Sequence, residues 1–134
     1  MAECCSNGQV LIYPCGGGSN TGEITDRVAR LMQKNNSGKM SCLASLGAHI
    51  DGFIVSARDA DLNITLDGCP KACAKKIFEH LGLKYKSYVL TEMGIVKGKT
   101  EVTEDLVEST CARIASVIKV ETTNPEQNGC SCGC

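Results

Sequence analysis

The chain has 134 residues, 43% of them hydrophobic, which is enough for one domain with its own core. Aromatic residues make up only 4% and tryptophan is absent, so that core must be aliphatic. A formal charge of −1 and an isoelectric point near 6.1 leave no basic footprint for nucleic acid or an anionic membrane. No apolar run approaches the roughly 20 residues of a membrane span.

Ten cysteines are the strongest compositional signal. Residues Met1–Gln9 lack the basic region and apolar stretch of a signal peptide, so the chain is expected in the cytoplasm. Cysteines kept reduced there point to metal binding or redox chemistry rather than to a disulfide scaffold.

In chain order, Gln9–Tyr13 is an apolar run of strand length that ends at Pro14-Cys15. The loop Gly16–Gly22 follows, then a helix with Ile24, Val28, Leu31 and Met32 on one face. Asn35-Asn36-Ser37-Gly38 stops it. Lys39–Leu43 is a weaker strand, with Cys42 near its end. The spacing predicts one helix over Ala44–Ala60, burying Leu46, Ile50, Phe53, Ile54 and Ala57.

Leu62–Leu66 alternates as a strand, and Asp67-Gly68 breaks it. A helix with Pro70 in its first turn and Gly82 as its cap should place Cys69 and Cys73 on one face. Lys86–Leu90 is a fourth strand, followed by the loop Thr91–Lys99. Thr103 caps a last helix with Glu104 and Asp105 in its first turn and a stripe of Leu106, Val107, Ile114, Val117 and Ile118.

From about Glu121 the pattern fails. Residues 1–120 are therefore expected to form a single domain and 121–134 a flexible cysteine-rich tail. Strands alternating with helices imply crossovers, hence a small three-layer α/β sandwich with about four mainly parallel strands and helices on both faces.

In open α/β sheets, sites form beyond the carboxyl ends of the strands. Cys15 follows the first strand, Cys42 lies at the end of the second, and Cys69 and Cys73 follow the third. Four thiols thus converge on one edge, and four thiolates suit tetrahedral zinc. Helix N-termini favour the thiolate form that a metal needs. Cys111, within an apolar helix, reads instead as a small core residue.

Asp67-Gly68-Cys69-Pro70-x-x-Cys73 followed by Ala74-Lys75-Lys76 resembles the signature of the DGC-domain family. So do Cys15-x-x-x-Ser19-Asn20-Thr21-Gly22, Lys39–Ala44 and Thr91–Ile95, in the same order over about Val10 to Ile118. The resemblance implies zinc held by the cysteines, with Cys15, Cys42, Cys69 and Cys73 at the matching positions, and leaves the biochemical role open.

Gly17-x-x-x-x-Gly22 has the frame of a phosphate-binding loop, but Glu23 stands where the lysine belongs, which argues against a nucleotide. A tight turn near the site is the plainer reading. His49 is a reserve ligand beside Cys42, and His80 a weaker one at a helix end. Asp67, Ser19, Asn20 and Glu92 are candidates to orient or hydrogen-bond the site. No Ser/His/Asp, Cys/His/Asn or paired-carboxylate constellation can be assembled, which argues against a hydrolase.

The expected function is metal binding, with a metal ion as partner and neither nucleic acid nor membrane. Zinc is the first choice of cofactor, and Cys4, Cys5, Cys130, Cys132 and Cys134 would handle a soft metal or metalloid. Two alternatives stay open. Cys69 or Cys73 could serve thiol redox or sulfur transfer, or the four cysteines could hold an iron–sulfur cluster.

Overall fold

In a computed structural model, which describes residues 8–122, the chain alternates strands and helices. In order they are β1 (Val10–Pro14), α1 (Asn20–Lys34), β2 (Lys39–Met40), α2 (Leu43–Gly47), α3 (Asp51–Asp59) and β3 (Leu62–Asp67). Then come α4 (Cys73–Leu81), β4 (Lys86–Val89), a 3₁₀ turn (Leu90–Met93) and α5 (Glu104–Thr122). The Cys4-Cys5 pair and the thiols expected in a tail lie outside the described residues. The last helix continues through Thr122, past the domain end placed at residue 120.

The four strands pair in the order β2-β1-β3-β4, and every pair is parallel. A parallel pair needs a crossover that covers a face, so the sheet is buried on both sides. Period-2 alternation divides β1 between the two layers. Ile12, with Ile64 and Leu66 of β3, packs beneath Ile24, Val28 and Met32 of α1 and Val107, Cys111 and Ile114 of α5. Leu11 and Tyr13 face the opposite way, toward Leu46, Ala57 and Phe78. This is the three-layer α/β sandwich that the sequence implies.

The polar residues of β3 are buried as well, and each is tied down. Asn63 donates its amide to the carbonyls of Ala57 at 2.6 Å and Lys84 at 3.1 Å. The Thr65 hydroxyl reaches the Lys86 carbonyl at 3.5 Å. Asp67, 1% exposed, accepts from the backbone N–H groups of Ala74 at 2.8 Å and Lys75 at 3.1 Å.

Two helix expectations are corrected. The helix predicted over Ala44–Ala60 is broken at Ala48–Ile50 into α2 and α3. His49 takes a left-handed backbone, φ 57°, with His49 N–H donating to Leu46 O and Ile50 N–H to Ser45 O. That is the hydrogen-bond pair of a Schellman stop, with histidine where glycine usually sits. The break turns Ile50 and Phe53 outward, 48% and 38% exposed, although both were expected to be buried.

The helix predicted from Pro70 begins instead at Cys73. Cys69–Ala72 form a turn closed by Ala72 N–H on Cys69 O, and Ala72 is left-handed at φ 51°. Cys69 and Cys73 therefore do not share a helix face. Ala72 stands in the N-cap position with no side chain to accept. Asp67 supplies that acceptor from the end of β3, fixing where α4 starts.

Burial outweighs these hydrogen bonds and the nearby Lys75 charge, and raises the Asp67 carboxyl above the usual carboxylate range. An acid raised in this way holds its proton more tightly folded than unfolded. It favours folding below the unfolded-state value, about 3.9, and that advantage fades as pH climbs through the raised folded value. Asp67→Asn should lack this falling component of stability. Urea midpoints of parent and variant, compared upward from about pH 3.5 across that window, measure it.

Candidate functional site

The sheet carries its predicted thiols to one edge. The Cys15 N–H continues the β1–β3 ladder onto Leu66 O at 2.8 Å, and the Ser41 N–H continues the β1–β2 ladder onto Ile12 O at 2.9 Å. Cys42, Cys15 and Cys69 therefore emerge past the ends of three neighbouring strands, which lie about 5 Å apart. Cys73 opens α4 above the same edge. Cys15 and Cys69 are half-buried, Cys42 and Cys73 exposed, and all four are free thiols. Among the described residues, no group of three or more His, Cys, Asp or Glu side chains stands close enough to hold a metal ion.

Three of the four sulfurs have distinct polar neighbours. Cys15 Sγ lies 3.5 Å from the Thr25 hydroxyl, which also accepts from Gly16 N–H at 3.3 Å and donates to Gly22 O at 2.7 Å. At Cys42 the Ser45 hydroxyl, followed by the Ser45 N–H, lowers the thiol below its ordinary range; slight burial opposes this and the Ala44 N–H adds to it. Lys97 brings its ammonium to 3.5 Å from Cys69 Sγ. Cys111 contrasts with these. It is 3% exposed inside the α1–α5 core, and burial raises its thiol.

The glycine loop serves close packing. Gly16 turns the chain at φ +60°, and the loop folds back onto α1, so that a Cβ on Gly22 would collide with the Gly17 backbone. On the neighbouring strand end, a Cβ on Gly68 would meet the Thr21 carbonyl carbon at 2.8 Å. The Gly of Asp67-Gly68-Cys69 thus lets the third strand end pass against the first turn of α1. Ser19 caps α1 by accepting from Gly22 N–H at 3.2 Å.

Asn20 does what sequence reasoning could not specify. Its amide donates to Val96 O at 3.1 Å and Thr100 O at 2.8 Å, and its Oδ1 accepts from Gly98 N–H at 2.7 Å. These bonds clamp the segment 96–100 over the start of α1 and place Lys97 at Cys69. Lys97 was not among the expected site residues. Glu92 is exposed in the 3₁₀ turn. His49 and His80 do not join the thiols: they meet each other, with ring centroids 5.9 Å apart.

A family model described as the DGC domain matches residues 11–114. Among curated proteins, the chain is similar to the "Anaerobic and virulence modulator AnvM" of Pseudomonas aeruginosa, 30% identical over 88 residues. The alignment covers 65% of this chain and 67% of that relative. No solved structure matches the chain.

The Asn20 clamp predicts a local effect. Three bonds at about 1 kcal/mol net each suggest that Asn20→Ala costs about 2–3 kcal/mol. Hydrogen exchange should quicken at the Gly98 amide while the amides of β1 and β3 keep their relative protection.

Proposed function

This chain belongs to the DGC-domain family, and from that premise we propose that it is a metal-binding protein whose Cys15, Cys42, Cys69 and Cys73 hold one zinc ion at the carboxyl edge of the sheet. The observation that carries the reading is positional. Of the five cysteines with described surroundings, these four stand at or just past strand ends on one edge, and the fifth is sealed in the core.

The donor set fits the metal. Four thiols can supply a complete Cys₄ shell, and soft thiolate suits zinc. The support is donor chemistry and shared edge, since the side chains do not stand at bonding distance as an assembled set. Each residue has its part. Thr25 positions Cys15, Ser45 lowers the proton affinity of Cys42, and Asp67 fixes the helix start that carries Cys73. Bound zinc would replace thiol protons and cross-link three strand ends to α4. The terminal cysteines, as soft donors, would extend this capacity to soft metals or metalloids.

A second reading has one observation in its favour. The Lys97 ammonium stands 3.5 Å from Cys69 Sγ, a polar contact suited to a sulfur that takes part in thiol redox or sulfur transfer. An iron–sulfur cluster would use the same four ligands. Visible absorbance of anaerobically purified protein separates a cluster, which is coloured, from zinc, which is not.

Metal content of Cys69→Ser and Cys73→Ser beside Cys111→Ser tests the zinc site. The first two should lose most of the bound zinc and the third should keep it, with altered stability alone. Equal zinc in all three would place the metal elsewhere. Zinc-free parent protein that alkylates rapidly at Cys69, and more slowly as Lys97→Met, would favour the thiol reading instead.

A further inference from the structure

The chain contains two histidines, and the fold brings them together. His49 stands in the turn between α2 and α3, and His80 in the last turn of α4. Their ring centroids are 5.9 Å apart with planes inclined at 71°. The helices behind them lie close, for a Cβ on Gly47 would be 3.6 Å from Ile77 Cδ1. Both rings line an open groove of about 340 Å³ with Leu46, Gly47, Lys76 and Ile77.

We propose that His49 and His80 form a separate, exchangeable site for a divalent transition metal of the nickel–copper–zinc class. Imidazole nitrogen suits these ions, and the groove has no carboxylate lining that would select calcium or magnesium. Metal–nitrogen bonds of about 2.0–2.1 Å require the two ligating nitrogens to lie within about 4 Å of each other. Rings already 5.9 Å apart between centroids reach that by side-chain rotation. Both residues are exposed, so water completes the coordination.

Two further features agree. The last carbonyls of α4 carry partial negative charge beside His80, which favours a cation. His49 holds its place on a left-handed backbone, φ 57°, a conformation in which a side chain is uncommon but histidine is enriched. Lys76 opposes the site, being the charged side chain that shares the groove. The thiols are a different site, because His80 lies seven residues beyond Cys73 on α4, about 10 Å of helix rise. The inference does not rest on the zinc reading.

The test uses the full chain with its accessible thiols alkylated, titrated calorimetrically with Ni²⁺. One equivalent should bind. His49→Asn, which tolerates the left-handed backbone, and His80→Gln should each weaken it by about tenfold or more. Lys76→Gln should tighten it. In the unmodified protein, Ni²⁺ added beyond what the thiols take up should broaden the ring proton signals of both histidines together, which keeps the question open to measurement if alkylation perturbs the fold. No nickel bound after alkylation, parent-like affinity in either histidine variant, or broadening of one ring alone would overturn the site and leave a ring contact only.

Discussion

The Asp67 carboxylate, buried at the end of β3, accepts two backbone N–H groups from the first turn of α4. Nothing within that turn could do so, since the residue in the cap position is alanine. Because the acceptor comes from the strand, the residues between are freed from both ladder and helix. Gly68 passes against α1, Cys69 projects at the edge, and Pro70 and Lys71 close the turn that delivers Cys73. A buried carboxylate is costly unless its oxygens are satisfied, and here both are. The same group that orders the backbone therefore spaces the two thiols, and the Asp-Gly-Cys sequence is one structural device with three parts.

Around that device the edge is lined by groups that treat sulfur differently. A hydroxyl serves Cys15, a serine hydroxyl and N–H serve Cys42, and an ammonium serves Cys69. Cys111 has apolar surroundings and behaves as packing. Three of the four edge thiols have polar neighbours and all four are at least partly exposed, whereas Cys111 is buried in an apolar core.

Periodicity made the sandwich legible, because apolar runs and helical stripes report burial directly. Ile24, Val28 and Met32 are buried on α1 as their spacing requires, and Thr103 does cap the last helix, accepting from Leu106 N–H at 3.2 Å. The failures fall where backbone conformation overrides pattern. His49 ends α2 in a left-handed turn that its residue type does not announce, although Asn36 and Gly82 mark the same stop on α1 and α4. Pro70 suits a helix start and a turn equally well, and only the long-range bond from Asp67 decides between them. Of the site, the thiols and their shared edge were legible from strand order. The Asn20 clamp and Lys97 were not, since they join segments far apart in sequence, and no local spacing encodes such a contact.

The strand order has a bearing on how the chain comes to be folded. Among the described residues the first strand is an interior one, and its partners begin only at Lys39 and Leu62. Until β3 has been synthesised, Val10–Tyr13 has at most the two residues of β2 beside it, and its opposite face has no α4 to cover it. Parallel pairings over such separations are slow to form, and an unpaired apolar strand invites association with other chains. The growing chain thus carries an apolar strand without its main partner until synthesis reaches the Asp67 turn.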